Sequence, residues 1–129
     1  MKRSVLFTLL LLSSMLISFM APPKWVSLGS KKVDFLVDKD VIPVTYREGA
    51  FTAIKLEVND GALNMHRCVI HFENKSTQEV ELRHNFGKGS ESRVIDLKGN
   101  KRFIERIEFW YDSKNAQLRK ATVTVWGRK

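Results

Sequence analysis

Residues 51–72 read FTAIKLEVNDGALNMHRCVIHF and contain two segments of alternating character separated by a turn. Along Phe51–Val58 one face would carry Thr52, Ile54, Leu56 and Val58, and the other Phe51, Ala53, Lys55 and Glu57, which is typical of a half-buried strand. Asn59-Asp60-Gly61 predicts a tight turn, because glycine readily adopts the positive φ that such reversals often need. Ala62–Phe72 then predicts a second strand. One face of this second strand is expected to carry His66, Cys68, Ile70 and Phe72.

Short segments with similar alternation lie on both sides of this stretch. Strands are predicted at Trp25–Leu28, Val33–Val37, Ile42–Tyr46, Glu79–Phe86, Ser92–Leu97 and Ala121–Trp126. Turn-forming residues such as Asp38-Lys39-Asp40 and Lys98-Gly99-Asn100-Lys101 separate the strands. Many short strands, frequent turns and no long helical pattern predict an all-β fold. We therefore expect residues 22–129 to form a single antiparallel β-sandwich, or jelly-roll-like domain.

The segment Arg102–Asp112 fits two kinds of element. Its apolar positions follow the stripe of an amphipathic helix, at Phe103, Ile104, Ile107, Trp110 and Tyr111. Ile107, Phe109 and Tyr111 also alternate, and the β-branched and aromatic content of the segment favours a strand. Because the neighbouring segments are strands as well, we predict a strand here.

The first residues differ in kind from the rest of the chain. Lys2 and Arg3 precede Val5–Met20, which contains only apolar residues, serine and threonine. A charged start followed by an apolar run is typical of a secretory signal, so residues 1–21 are predicted to be a signal peptide and the domain to be periplasmic or extracellular. The cleavage site is left open. The alternatives are an uncleaved membrane anchor formed by residues 5–20 and a buried hydrophobic helix.

The charge of the chain is positive and unevenly distributed. Twenty-two lysine and arginine residues stand against 14 aspartate and glutamate residues in 129, which gives a net charge of +8. The predicted anion-binding residues are Arg83, Lys88, Arg93, Lys98, Lys101, Arg102 and Arg106. Such a cluster favours an anionic partner, such as a lipid headgroup or an acidic polysaccharide, and nucleic acid is not expected if the domain is exported. The alternative is a set of charges that only solvates the surface.

Two tryptophan residues are candidates for an aromatic surface. Trp110 is predicted to face away from Phe109 and Tyr111, and Trp126 away from Val123 and Val125. Exposed aromatic rings stack on the apolar faces of sugars, so Trp110 and Trp126 predict a glycan-binding surface. In the alternative interpretation both rings fill the second face of the sandwich.

A series of short motifs runs through residues 25–127. They are Trp25-Val-Ser-Leu-Gly29, Val33-Asp-Phe35, Asp38-Lys-Asp-Val-Ile-Pro-Val44, Phe51-Thr-Ala-Ile-Lys-Leu-Glu-Val58, Ser92-Arg-Val-Ile-Asp-Leu-Lys-Gly99, Arg102-Phe-Ile104 and Ala121-Thr-Val-Thr-Val-Trp-Gly127. Together they resemble a family of small exported bacterial proteins known as a domain of unknown function. The resemblance implies a β-sandwich outside the cytoplasm. It implies no activity, no cofactor and no site residues.

The histidine residues do not predict a metal site. His66 and His71 are five positions apart, so a regular strand turns them to opposite faces and they cannot share one ion. His84 lies on the apolar face of another predicted strand.

Three aspartate residues have the chemistry of calcium ligands. Asp34, Asp38 and Asp40 lie close together in the sequence, and carboxylate oxygens are the ligands that Ca²⁺ prefers. Aspartate also favours turns, because its side chain bonds nearby backbone amides, and we prefer that interpretation. A calcium site stays the alternative, and no cofactor is predicted.

Catalytic chemistry is not indicated either. Ser90, Ser92, His84 and Asp96 lie near one another in the sequence but do not form a nucleophile-elbow motif. Cys68 lies among apolar neighbours, where a free thiol behaves as a small hydrophobic side chain. The sequence therefore predicts an exported, non-catalytic binding protein for anionic ligands or glycans at the cell envelope. The alternative is a subunit or inhibitor that pairs through a sheet edge, and the oligomeric state is left open.

Overall fold

A computed structural model of the chain describes residues 24–33, 38–112 and 121–129. Within these ranges the chain forms ten strands: β1 (Trp25–Lys32), β2 (Lys39–Pro43), β3 (Ala50–Phe51), β4 (Ala53–Asn59), β5 (Leu63–Phe72), β6 (Thr77–Phe86), β7 (Ser90–Glu91), β8 (Ile95–Asp96), β9 (Arg102–Tyr111) and β10 (Thr122–Arg128). A short 3-10 helix, Tyr46–Glu48, lies between β2 and β3. The predicted signal peptide, residues 1–21, lies outside the described residues. In the described ranges, no helix has the length and apolar character needed to cross a membrane.

The strands form two antiparallel sheets. The first sheet has the order β1-β10-β4, and β7 and β8 pair in turn with the other side of β4. The second sheet has the order β2-β9-β5-β6, and β3 pairs with β9 as a continuation of β2. If β2 with β3, and β7 with β8, are each counted as one interrupted strand, the sheet orders become 1-8-3-6 and 2-7-4-5. This is the arrangement of a jelly roll, so the predicted antiparallel β-sandwich is confirmed.

The hydrophobic core lies between the two sheets. On β4 the buried side chains are Ile54, Leu56 and Val58, and the second sheet supplies Ile107 and Phe109 from β9. Alternate positions along each strand provide these residues, as the two-residue period of a strand requires. The alternation predicted for this segment therefore identifies one wall of the core over Ile54–Val58. The prediction is wrong for its first residues, because the chain bends at Thr52 and Phe51 pairs with β9 of the second sheet. Phe51 and Ala53 are fully buried, although the alternation places them on the face opposite Ile54.

Gly127 of β10 allows close packing at one end of this core. A Cβ atom at this position would lie 2.7 Å from Phe51 Cδ1 and 3.0 Å from Leu28 Cδ1. Phe51 is fully buried, and its ring occupies the space that a side chain at position 127 would need.

The segment predicted to be either a strand or a helix is strand β9, which lies inside the second sheet between β2 and β5. Its helix-like spacing has a structural cause. The register with β5 shifts between His71, which pairs with Arg106, and Phe72, which pairs with Ile104. Glu105 is the extra residue, and as a result Ile104 and Ile107 are both buried although they are three positions apart.

A second irregularity corrects the face predicted for His66. The pairing of β5 with β9 shifts between Met65, which pairs with Tyr111, and Arg67, which pairs with Trp110, so His66 is an extra residue relative to β9. His66 is exposed, whereas Met65 and Cys68 are both buried. The prediction that His66 shares a face with Cys68 is therefore wrong, because a bulge changes which residues of a strand face the core.

Two other predicted strands have different bounds. The strand expected at Ile42–Tyr46 begins earlier, at Lys39, and ends at Pro43, so the break predicted at Asp38-Lys39-Asp40 is wrong for its last two residues. The strand expected at Ser92–Leu97 is reduced to β8, and β7 lies before the predicted range. Between them the Ser92 side chain replaces a backbone partner, since Ser92 Oγ accepts a hydrogen bond from Leu56 N over 2.9 Å. Most of the strand predicted at Val33–Val37 lies outside the described residues.

Candidate functional site

The seven predicted anion-binding residues are distributed over several parts of the sandwich. Lys98, Lys101 and Arg102 lie together, in and directly after the loop that joins β8 to β9. The other four are Lys88 in the β6–β7 turn, Arg93 between β7 and β8, Arg106 on the outer face of β9, and Arg83 on β6, whose side chain lies outside the described residues. The structure thus brings three of the seven together.

Hydrogen bonds from a buried side chain and from the backbone hold in place the loop that carries these three residues. Gln78 of β6 is 7% exposed, and its Oε1 accepts a hydrogen bond from Lys98 N over 2.8 Å. The Gln78 Nε2 group donates to Asp96 O over 3.0 Å. On the other side, Leu97 N donates to Thr52 O over 2.9 Å. Because both sheets hold the loop, the side chains of Lys98 and Lys101 project from a fixed backbone.

Arg102 is held by neutral partners. Its guanidinium group lies 3.7 Å from the centre of the Phe72 ring. One nitrogen donates to Lys98 O over 2.6 Å, and the other donates to Ser76 Oγ over 2.8 Å and to Asn74 Oδ1 over 3.2 Å. None of these acceptors carries a charge. The side chain is therefore fixed in place while its positive charge stays uncompensated.

The positive charges of the two lysine residues beside Arg102 are also uncompensated by a carboxylate among the described residues. Lys98 and Lys101 are exposed, and within the described ranges neither they nor Arg102 form an ion pair with a carboxylate. Several other cations do form such pairs, namely Lys39, Lys55, Arg67, Lys75, Arg106 and Arg128. We call Lys98, Lys101 and Arg102 the basic end, because they lie at the end of the sandwich that contains the β5–β6 turn.

A shallow depression of about 160 Å³ adjoins the basic end. It is lined by Phe72, Glu73, Asn74, Lys101, Arg102 and Phe103. Its polar lining combines two cations, one amide and the carboxylate of Glu73. This composition suits the binding of an anionic group near Lys101 and Arg102, with Glu73 acting against it.

Two further cations lie at the same end of the sandwich, and the sequence analysis did not select them. Lys129 N donates a backbone hydrogen bond to Lys24 O over 3.2 Å. The Lys129 ammonium group lies 5.8 Å from the ring centre of Phe51, which pairs with Arg102 across the sheet. Lys24 and Lys129 are far apart in the sequence and become neighbours because β1 pairs with β10. The signal that could have identified them is the jelly-roll order of the strands.

Arg106 belongs to a different environment, the outer face of the second sheet. Its Nε atom lies 3.6 Å from Glu108 Oε1, which also lies 2.6 Å from His71 Nε2. Lys39 Nζ lies 3.3 Å from the other oxygen of Glu108. Burial acts to raise the pKa of Glu108, but the hydrogen bond and charge of Lys39 and the charges of His71 and Arg106 lower it below the ordinary value. Arg106 is thus paired with carboxylates and does not extend the basic end.

The two tryptophan residues lie on opposite outer faces. Trp110 lies on the outer face of the second sheet, with the Arg67 guanidinium 4.0 Å and Lys39 Nζ 5.7 Å from its ring centre. Trp126 is half-buried on the outer face of the first sheet, between its cross-strand partners Ser27 and Lys55. The structure does not bring Trp110 and Trp126 into one surface, and Arg67 covers the Trp110 ring.

The three aspartate residues considered as an alternative calcium site fall in different environments where the structure describes them. Asp40 is 8% exposed and lies in β2, where it accepts a hydrogen bond from the Tyr111 hydroxyl over 3.0 Å. Asp38 is exposed, and Asp34 lies outside the described residues. Among the described residues, no group of three or more histidine, cysteine, aspartate or glutamate residues could hold a metal ion.

The candidate nucleophiles have structural partners. Ser90 Oγ donates to Gly87 O over 2.6 Å, and Ser92 Oγ donates to Arg93 O over 2.8 Å. Asp96 accepts a hydrogen bond from Arg128, and the side chain of His84 lies outside the described residues. Burial raises the pKa of the Cys68 thiol to about 12, although the charge of Arg93 acts in the opposite direction. The thiol is thus held in its neutral, unreactive form.

Comparison with known proteins gives a family and a likeness to a solved structure. A family model described as a domain of unknown function (DUF2541) matches residues 4–127. The solved structure of a Tobacco streak virus coat protein dimer is similar to this chain with a TM-score of 0.41 and 16% sequence identity, over 86% of this chain and 90% of that one. No curated protein matches the chain.

Proposed function

Since the chain belongs to the family of the domain of unknown function (DUF2541), for which that description states no activity, we propose a function from the basic end itself. The protein is an exported, non-catalytic binding protein whose basic end binds an anionic ligand. The ligand presents phosphate, sulfate or carboxylate groups to Lys98, Lys101 and Arg102.

One observation carries this proposal. Three cations lie together without a carboxylate partner, while six other cations of the described chain are paired. Arg102 is fixed by neutral acceptors over 2.6–3.2 Å, so little side-chain freedom is lost when an anion binds. The uncompensated charge also attracts anions over a distance of about one Debye length.

The location outside the cytoplasm is supported by the sequence of residues 1–21. Two cations precede a run of apolar residues, serine and threonine, which is typical of a secretory signal. An exported basic domain meets anionic lipids and polysaccharides of the envelope. We therefore place the ligand among those anions.

The alternative, a module that pairs through a sheet edge, has less support. Edge strand β2 contains Pro43, which has no backbone N–H group to donate. On edge strand β6, the Arg93 side chain already donates to Glu81 O over 3.3 Å. Strand β1 ends in Lys31 and Lys32 and contains a register shift near Gly29. These are features that protect sheet edges from pairing.

The experiment is a binding titration of the full chain with soluble polyphosphate at several salt concentrations. We expect binding at low salt that weakens on the order of tenfold between about 50 and 200 mM salt, because few phosphate contacts are made. Lys98→Gln combined with Lys101→Gln should weaken binding further. The matched control is Lys31→Gln combined with Lys32→Gln, an equal change of charge on exposed residues at the opposite end of the sandwich. Equal losses in the two double variants would contradict the proposal.

A further inference from the structure

Phe103 is an exposed aromatic side chain that adjoins the basic end. It is 50% exposed and follows Arg102 directly on β9. Among the described residues the other large hydrophobic side chain of comparable exposure is Val94, at 45%. An apolar ring in water gains free energy when it enters an apolar phase. The position of Phe103 beside three uncompensated cations is therefore informative about the ligand.

The backbone that carries Phe103 is fixed on both sides. Phe103 pairs with Ala50 of β3 on one side. On the other side Phe103 O accepts a hydrogen bond from Glu73 N over 3.0 Å. The ring is thus presented by a rigid strand inside a sheet, and no loop has to be ordered when it makes a contact.

We propose that the basic end docks on an anionic lipid bilayer, with Phe103 inserted among the headgroups and Lys98, Lys101 and Arg102 bound to lipid phosphates. This inference rests on the proposed function, because it identifies lipid headgroups as the anions that the basic end binds. A soluble polyanion would use the cations but would give the Phe103 ring no apolar phase to enter. Stable attachment of a protein to a membrane surface typically combines an apolar insertion with a polybasic patch, and both are present here.

The negative charges of the nearby carboxylates do not prevent this docking. Glu105 follows Phe103 by two residues in β9, but its charge is countered by Lys75 Nζ at 3.0 Å and by Arg106 Nη1 at 2.8 Å. Glu73 lies in the depression beside Lys101. It is one carboxylate against three cations, so the local charge stays positive.

The first test is sedimentation of the full chain with vesicles of phosphatidylcholine that contain phosphatidylglycerol. Binding to pure phosphatidylcholine vesicles is subtracted, because the apolar run of residues 5–20, where retained, would contribute to both. We expect Phe103→Ser to reduce the anion-dependent part of binding by about tenfold, which corresponds to one inserted aromatic ring. Val94→Ser is the matched control and should leave binding unchanged.

The second test measures whether the side chain at position 103 enters the bilayer. An environment-sensitive dye is attached to Phe103→Cys or to Val94→Cys; Cys68 is buried and unreactive, so the introduced thiol is labelled selectively. Dye fluorescence should increase with anionic vesicles at position 103 and not at position 94. Thermal unfolding of each variant confirms that the fold is retained.

The outcomes separate this inference from the proposed function. Anionic vesicles that bind the wild-type chain but not Phe103→Ser support both. If polyphosphate binding depends on Lys98 and Lys101 while Phe103→Ser changes no vesicle binding, the bilayer inference is overturned and the proposed function stands. If neither probe binds through the basic end, both are overturned.

Discussion

The hydroxyl group of Tyr111 donates a hydrogen bond to Asp40 Oδ2 over 3.0 Å, and both side chains are buried. The bond connects β9 with β2, the neighbouring edge strand. A polar bond between two strands inside a hydrophobic core fixes their relative register, because a slipped pairing would leave buried polar groups without partners.

Removing this hydroxyl should destabilise the domain. Tyr111→Phe keeps the ring and deletes one buried hydrogen bond to a carboxyl group, so we expect a loss of about 1–2 kcal/mol in the free energy of unfolding. Asp40→Asn keeps an acceptor oxygen and should cost less. Equilibrium denaturation with urea measures both changes. A Tyr111→Phe variant that unfolds at the wild-type urea concentration would show that the bond contributes nothing.

Close packing at Gly127 leads to a second prediction. Gly127→Ala places a methyl group 2.7 Å from the Phe51 ring, and the fully buried ring has no open space to enter. We expect a loss of about 1–3 kcal/mol from overpacking. Gly87→Ala is the control, since a Cβ atom there meets nothing within 4 Å. Thermal melting of the two variants should differ clearly, and equal melting temperatures would contradict the packing argument.

The ion cluster around Glu108 predicts a pH dependence of stability. The pKa of Glu108 is below its ordinary value of 4.5 in the folded state, although burial acts in the opposite direction. The carboxylate therefore stabilises the fold above about pH 4.5, and this contribution is lost as the pH falls through the lowered pKa. Unfolding free energy measured from neutral to acidic pH should fall less steeply in Glu108→Gln. Parallel curves for Glu108→Gln and the wild type would refute the assignment.

Cys68 should resist thiol reagents in the native protein. Its pKa of about 12 leaves a very small fraction of thiolate near neutral pH, and the side chain is fully buried. Iodoacetamide should modify Cys68 only after the protein is unfolded in denaturant, which mass spectrometry would detect. Rapid modification of the folded protein would mean that this part of the core opens easily.

Removing the negative charge of Glu73 should strengthen the binding of anions. Its carboxylate lines the depression beside Lys101 and Arg102, so Glu73→Gln should increase affinity for polyphosphate by several-fold at low salt. Asp60→Asn makes the same change of charge at the opposite end of the sandwich. Asparagine also tolerates the positive φ of 65° found at that position. An equal gain in Asp60→Asn would indicate a general charge effect and no local site.

The sequence predicts the class of fold because alternation is a local property. Ile54–Val58 alternates as its burial requires, and Trp110 faces away from Phe109 and Tyr111 as expected. Bulges are the features that local alternation does not reveal. One extra residue at His66 changes the face of part of β5, and another at Glu105 produces the helix-like spacing of β9.

The candidate site is less predictable, because it depends on which loops become neighbours. Lys98, Lys101 and Arg102 lie within five consecutive positions of the sequence and could be recognised as a cluster. The neutral partners that hold Arg102 come from the β5–β6 turn, far away in the sequence. Arg106 appeared equivalent in the sequence, yet Glu105 and Glu108 neutralise it. Only the three-dimensional neighbours distinguish a compensated cation from an uncompensated one.

The position of β10 between β1 and β4 has a consequence for the time order of folding. The strand nearest the carboxyl end of the described chain is the one that joins the other strands of the first sheet. While the polypeptide is synthesised, β1 and β4 lack their common partner, so β1 cannot join the pairs that β4 forms with β7 and β8. Closure must wait for residues 122–128 to be released, because these distant pairings form together. Completion of the first sheet thus depends on the strand that is synthesised last among those described.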